Sequence, residues 1–195
     1  MTYGATPGFG KIIIWLKESF SKIRFVSYLT KSIFLISTLS NFKICKPKKI
    51  IKFQKVIITW AKKSDFKEDI FYDSFSNLDS KKTINVVFFV IYLDHTLPNQ
   101  IPNNVIIFYK PSYKYNLIFF LDIFFKKIKS LFFRPLLFLH YFSYQTIFAE
   151  IVNKHFLDVI NPRKIKKIIM PYEGQPFQNF IFKNIKKINK KIETI

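Results

Sequence analysis

The apolar positions along this chain change period several times. Between residues 11 and 39, Ile12, Leu16, Phe20, Ile23, Val26, Ile33, Ile36 and Leu39 recur mostly every three or four residues, which predicts one or two helices. The ten residues before them hold three Gly and one Pro and read as a loose leader with a turn at Thr6-Pro7-Gly8. Lys46-Pro47-Lys48-Lys49 reads as a loop, and Val56-Ile57-Ile58-Thr59-Trp60 as a buried strand. Residues 61–83 are polar and mixed in charge, a long loop of the kind that often carries function. Ile84–Leu93 is almost wholly apolar, as in a strand buried on both faces of a parallel sheet.

Downstream, Pro98–Asn104 is a turn-rich connection and Val105–Tyr109 a third strand. Residues 114–133 and 135–160 read as helices, with Pro135 suited to a first helical turn and Asn161-Pro162 as a stop. In the first, Asp122, Lys126 and Lys129 form one polar stripe among many Phe, so this helix is either deeply buried or interfacial. Lys167–Met170 reads as a short strand, Pro171–Gln175 as a turn, and 176–190 as a helix with Phe177, Ile181, Ile185 and Ile188 on one face. Ile192–Ile195 begins another strand. The alternation predicts an α/β fold with a mostly parallel sheet, divided into an N-terminal leader and helical segment over 1–45 and a Rossmann-like domain over 46–195.

Composition changes this picture in three ways. The 195 residues can supply one sizeable core, and a hydrophobic fraction of 49% excludes a mainly disordered chain. The net charge of +20 raises the question of nucleic acid or an anionic membrane, but only Arg24, Arg134 and Arg163 among the 32 basic residues are Arg. Base and phosphate recognition favours Arg, so nucleic acid is an unlikely partner. The charge is also uneven: residues 43–63 hold eight Lys and no acid, whereas 64–109 hold three Lys against six acids, a local balance of −3 that a nucleic-acid binder or a polar cleft would tolerate. Finally, the only glycines are Gly4, Gly8, Gly10 and Gly174, too few for a glycine-rich phosphate loop.

The chemistry-bearing residues are sparse. Cys45 is the single cysteine, so no intramolecular disulfide forms, and a reducing cytoplasm fits. No signal peptide and no uninterrupted span of about 20 apolar residues is visible. His140 and His155 lie 15 apart, and His155 pairs most simply with Asp158 on a helix surface. No zinc spacing, nucleophile elbow or P-loop is present, so neither a metal nor a cofactor is expected.

The segment with most content is Lys167-Ile-Ile-Met-Pro-Tyr-Glu-Gly-Gln-Pro-Phe-Gln-Asn179, a strand, tight turn and helix. Gly174 suits a positive φ and Pro176 a first helical position, which sets Glu173 at a strand's carboxyl end beside a helix N-terminus. A second segment is Val56-Ile-Ile-Thr-Trp-Ala-Lys-Lys-Ser-Asp-Phe66, followed by Phe71-Tyr72-Asp73-Ser74-Phe75. Together these segments resemble the "PYE-x-Q-P-(F/W)" and "W-x-x-x-x-D-F … YD-x-(Y/F)F" elements of bacterial surface-polysaccharide glycosyltransferase-like proteins of the two-domain GT-B superfamily. The resemblance covers roughly residues 50–195, by the usual placement of such βα elements.

The resemblance implies a sugar-transferring enzyme acting on a lipid- or glycan-linked acceptor. This chain would supply its acceptor-side half, with the nucleotide-sugar donor bound by a C-terminal half that this chain lacks. Such an enzyme would be cytoplasmic and peripheral to the inner membrane. Glu173 is the candidate catalytic base for the acceptor hydroxyl, or else a carboxylate stabilising exposed helix amides. Tyr172 and Gln175 would hydrogen-bond sugar hydroxyls or pack the turn. Asp65 would contact the acceptor or serve a loop, and Trp60 would stack on a sugar ring or fill the core. His95, beside Asp94 at a strand end, is a further base or ligand candidate. The competing reading is a non-catalytic basic protein that binds an anionic membrane surface or nucleic acid.

Overall fold

This computed structural model describes residue 27 and residues 30–47, 52–112, 114–133, 143–171 and 176–195. The expected leader, most of the first helical segment, and residues 134–142 lie outside them. The described chain is mixed α/β, built on a six-stranded, mostly parallel sheet flanked by helices and compatible with a Rossmann-like fold.

In chain order the strands are β1 (Lys43–Cys45), β2 (Lys55–Ala61), β3 (Phe66–Lys67), β4 (Ile70–Asp73), β5 (Leu78–Asp79), β6 (Val86–Tyr92), β7 (Val105–Tyr109), β8 (Lys167–Ile169) and β9 (Glu193–Thr194). The main sheet has the order β1-β7-β6-β2-β8-β9. Only β1 is antiparallel, pairing Lys43 with Tyr109 at the edge. The helices are α1 (residues 30–37), α2 (Leu117–Phe133), α3 (Tyr144–Val159) and α4 (Pro176–Ile188).

The five parallel strands follow the doubly wound rule: the chain steps outward from β2 through β6 to β7, then returns past β2 to β8 and β9. Right-handed crossovers put connections made in one direction on one face of the sheet and those made in the other direction on the opposite face. The observed packing obeys this. Alternate residues Val56 and Ile58 of β2, Val87, Phe89 and Ile91 of β6, and Ile106 and Phe108 of β7 join one core with α1, α2, α3 and α4. The intervening residues Ile57, Val86, Phe88, Val90, Val105 and Ile107 form a second core closed by Phe71, Leu97 and Ile101. Every residue of β6 is buried, as its apolar run requires.

The second face departs from the expected loop over 61–83. That stretch folds into a three-stranded antiparallel sheet, β3-β4-β5, which takes the place of a crossover helix. Its turns use Glu68 and Asn77 at φ 53° and 52°, where a glycine would usually mark the hairpin. The small sheet is tied to the large one by a buried polar contact. The Thr59 hydroxyl donates to Asp73 at 2.7 Å, and the same carboxylate accepts from the Ser76 amide at 3.1 Å and from the Ser76 hydroxyl. Asp73 is 2% exposed, so the hydroxyl of Thr59 in an otherwise apolar strand has a physical reason.

Described residues before 46 also pack on this sheet. Ile36 and Leu39 are fully buried in the helix-side core, and β1 extends the sheet beyond β7. At the other end, β9 pairs parallel to β8, Lys167 opposite Glu193, as expected of a strand beginning at Ile192–Ile195.

Asp73→Ala is expected to lower the unfolding free energy by about 3 kcal/mol in urea titrations, because it strands the Thr59 and Ser76 donors. Asp122→Ala removes an exposed pair with Lys126 at 2.5 Å and is expected to cost under about 0.5 kcal/mol.

Candidate functional site

In sheets of this topology, ligands bind beyond the carboxyl ends of the strands, near the point where strand order reverses. Here that point is β2, which has β6 on one side and β8 on the other. A cavity of about 350 Å³ opens at this edge, on the helix-covered face. Trp60 comes from the end of β2, while Ile91, Tyr92, Leu93 and His95 come from the end of β6 and the turn after it. Lys110 follows β7, Phe42 precedes β1, Tyr144, Gln145 and Phe148 begin α3, and Phe177 begins α4.

The walls are mainly aromatic and hold each other in place. Trp60 meets Phe177 edge-on at 5.5 Å and 86°, and lies nearly parallel to Phe148 at 6.3 Å. Tyr144 stacks on Phe148 at 6.0 Å. Ser143 caps α3, its hydroxyl accepting from the Thr146 amide at 3.2 Å, which fixes the helix start that presents Tyr144 and Gln145 to the cavity.

His95 and Lys110 sit among these rings, whereas Tyr92, which also borders the cavity, packs its ring in the second core against Phe66. His95 Nδ1 lies 2.6 Å from the Lys110 carbonyl oxygen, so this nitrogen carries the proton and donates. Lys110 Nζ donates to Thr38 Oγ1 at 2.8 Å and sits 5.8 Å above the Phe42 ring. Burial pushes the Lys110 ammonium below its ordinary pKa. Tyr92 donates its hydroxyl to the Thr96 carbonyl at 3.2 Å. Burial first, then the negative charges of Asp94 and Asp65, push its phenol up to about 12. Aromatic faces with a few fixed donors are suited to the apolar faces and hydroxyl rims of a sugar ring.

Trp60 and His95 are therefore brought together. Asp65 is not: it lines a separate polar depression against the small sheet, with Asp73 and Asp79. Its carboxylate accepts from the Lys62 amide at 2.9 Å and caps a single helical turn over Lys63–Asp65. The acidic middle of the chain is explained the same way. Asp73, Asp79 and Asp94 accept from the amides of Ser76, Lys82 and Lys63, the last two at 2.7 and 2.6 Å, so these acids build turns.

Tyr172, Glu173 and Gln175 lie outside the described residues, as does His140. The described chain on either side agrees with the strand-turn-helix reading: β8 ends at Ile169 and α4 starts at Pro176, with Phe177 in the cavity wall. Gln178, 1% exposed, donates to the Pro171 carbonyl and fastens the start of α4 to the end of β8. His155 faces Asp158 at 3.8 Å, as its spacing implies, and burial outweighs that carboxylate to hold the imidazole below its ordinary pKa. Among the described residues, no group of three or more His, Cys, Asp or Glu could hold a metal ion.

Sequence reasoning missed Phe42, Tyr92, Lys110, Tyr144, Gln145 and Phe148. Tyr92 and Lys110 carried a usable signal, since each falls at the end of a strand legible in the sequence.

The Tyr92 phenol should remain neutral well beyond pH 10. In ultraviolet pH titrations, the difference between wild type and Tyr92→Phe is expected to show one ionisation with a midpoint near 12. Because the folded value lies above the ordinary 10.0 of a free phenol, the stability linked to this group is full below pH 10 and is lost as pH rises toward about 12. Tyr92→Phe is expected to flatten that part of the stability profile.

No family model matches the chain, and neither a curated protein nor a solved structure matches it significantly.

Proposed function

We propose that this chain is the acceptor-side α/β domain of a glycosyltransferase-like protein of bacterial surface-polysaccharide synthesis. In this reading it binds a lipid- or glycan-linked sugar acceptor in the aromatic cavity. The observation that carries the proposal is the convergence of Trp60 and His95 in one aromatic-lined cavity at the carboxyl ends of β2 and β6. Sugar rings present CH-rich faces that stack on aromatic rings, and hydroxyl edges that take hydrogen bonds from groups such as Gln145 and Tyr144.

The proposed role of Glu173 rests on its place in the sequence. It belongs to the short connection between β8 and α4, whose Phe177 lines the cavity. A carboxylate there would take the proton of the acceptor hydroxyl as the sugar is transferred, with Tyr172 and Gln175 holding neighbouring hydroxyls. His95 donates through Nδ1 to the Lys110 carbonyl, which fixes the ring at the cavity wall. It is a second hydrogen-bonding group for the acceptor. The nucleotide-sugar donor would be held by a second α/β half, in keeping with the four glycines of this chain.

The only tryptophans are Trp15 and Trp60, so a Trp15→Phe background turns Trp60 into a reporter of the cavity. Titration with surface-polysaccharide oligosaccharides is expected to change its fluorescence saturably. His95→Ala is expected to weaken that affinity about tenfold and Asp65→Asn to leave it unchanged. With a nucleotide-sugar-binding half supplied, Glu173→Gln is expected to lower turnover about 100-fold or more while acceptor affinity is retained. Saturable binding that His95→Ala leaves untouched would remove the cavity from the mechanism.

A further inference from the structure

The two faces of α2 differ in what covers them. Phe120 points into the helix-side core, and Lys127 pairs with Glu150 of α3. On the other side Leu117, Ile118, Leu121 and Phe125, spaced one, three and four apart, form a stripe open to solvent; Ile118 is 80% exposed and Phe125 63%. The stripe continues onto α1. Tyr115 meets Phe34 edge-on at 5.6 Å, the Asn116 amide donates to the Ser37 carbonyl at 3.0 Å, and Leu35 is exposed beside Phe34. Among the described residues, large apolar side chains from two adjacent segments thus lie exposed beside one another, which a surface rarely leaves open without a use.

The charges around the patch identify the occupant. Lys31 lies one helical turn before Phe34 and Leu35, Lys114 precedes Tyr115, and Lys126 follows Phe125; all three are exposed. The acid on this stretch of α2, Asp122, is paired with Lys126. A second copy of this chain would bring a net charge of +20 against +20, which opposes self-association. An anionic bilayer supplies both requirements: an acyl boundary for Ile118 and Phe125, and headgroup charge for the lysines. No helix of the described residues is long and apolar enough to cross a membrane, so the contact would lie in the plane of the interface.

We propose that the exposed α1–α2 face docks on an anionic phospholipid surface, with Leu117, Ile118, Leu121 and Phe125 inserted at the headgroup boundary and Lys31 and Lys114 on the lipid phosphates. This proposal does not depend on the sugar-binding reading of the cavity.

Cosedimentation with vesicles tests it. The full chain is expected to bind vesicles of phosphatidylglycerol and phosphatidylcholine in equal parts, and to bind phosphatidylcholine vesicles at least about tenfold more weakly. High salt should reduce the binding, as should Lys31→Gln with Lys114→Gln, by about fivefold per lysine. Ile118→Ser with Phe125→Ser should reduce it at least about tenfold. Both side chains are exposed, so circular dichroism of this variant should match wild type. Ile84→Ser, which removes an exposed apolar side chain at the entry to β6, should bind like wild type. Absence of binding to anionic vesicles in low salt would overturn the proposal. So would wild-type binding by the Ile118→Ser, Phe125→Ser variant, or a vesicle-free dimer that this variant dissolves.

Discussion

The fold depends on burying both faces of one strand. All seven residues of β6 are buried, and alternate side chains point to opposite sides of the sheet, so two separate layers must cover it. The parallel ladder with β2, in register from Lys55–Val86 to Ala61–Tyr92, extends the same demand to the next strand. The helices satisfy it on one side. On the other, the three short strands β3, β4 and β5 and the connection carrying Leu97 and Ile101 do so. That second cover holds fewer apolar groups than a helix layer and uses buried polar anchors, Thr59 to Asp73 and Asn104 to the Ser80 carbonyl. The Thr59–Asp73 contact joins the two sheets where a helix would have contributed several apolar side chains.

The site is a consequence of that layering. Reversal of strand order at β2 separates the two sets of crossovers, and the carboxyl ends of β2 and β6 are left to be roofed by the starts of α3 and α4. A helix start presents its first side chains and its capped amides to such an edge, and α3 and α4 both begin with aromatics close by, Tyr144 and Phe177. The aromatic character of the cavity is thus partly inherited from the core. Trp60, Phe148 and Phe177 pack on the helix-side cluster with one edge and face the cavity with another.

Much of this was legible in the residues. The runs at Val56–Trp60, Ile84–Leu93, Val105–Tyr109 and Lys167–Met170 are long enough in β-branched and aromatic residues to read as strands, and their alternation with helical periods gives the class. The exposed ends Ile84 and Leu93 show the limit of that reading, because hydrophobicity alone does not mark where pairing stops. The small sheet was hidden for a different reason. Hairpins are usually signalled by glycine, and this chain turns at Glu68 and Asn77 instead, with strands of two to four residues that show no period. β1, half-buried at the sheet edge, was equally silent. Of the site, Trp60 and His95 could be located because a strand end is a local feature. Phe42, Lys110 and Tyr144 could not, because their meeting depends on which strands become neighbours and on where α3 lands.

The cavity and the proposed lipid-facing patch share a wall. Lys110 and Phe42 line the cavity, and Lys110 reaches Thr38, which follows directly on α1. Ser37, one residue earlier, accepts from Asn116 at the approach to α2. The same short stretch, 34–42, therefore borders an aromatic cavity on one side and takes part, through Phe34, in the exposed contact with Tyr115 on the other. For a domain that takes a lipid-linked sugar, this adjacency removes a geometric difficulty. Under both proposals the acyl chain would not need to leave the bilayer, because a surface seated on the headgroups through α1 and α2 would hold the cavity close to them. The lysine-rich composition then needs no nucleic acid to explain it: an interfacial contact uses point charges spread around an apolar patch, for which Lys serves as well as Arg.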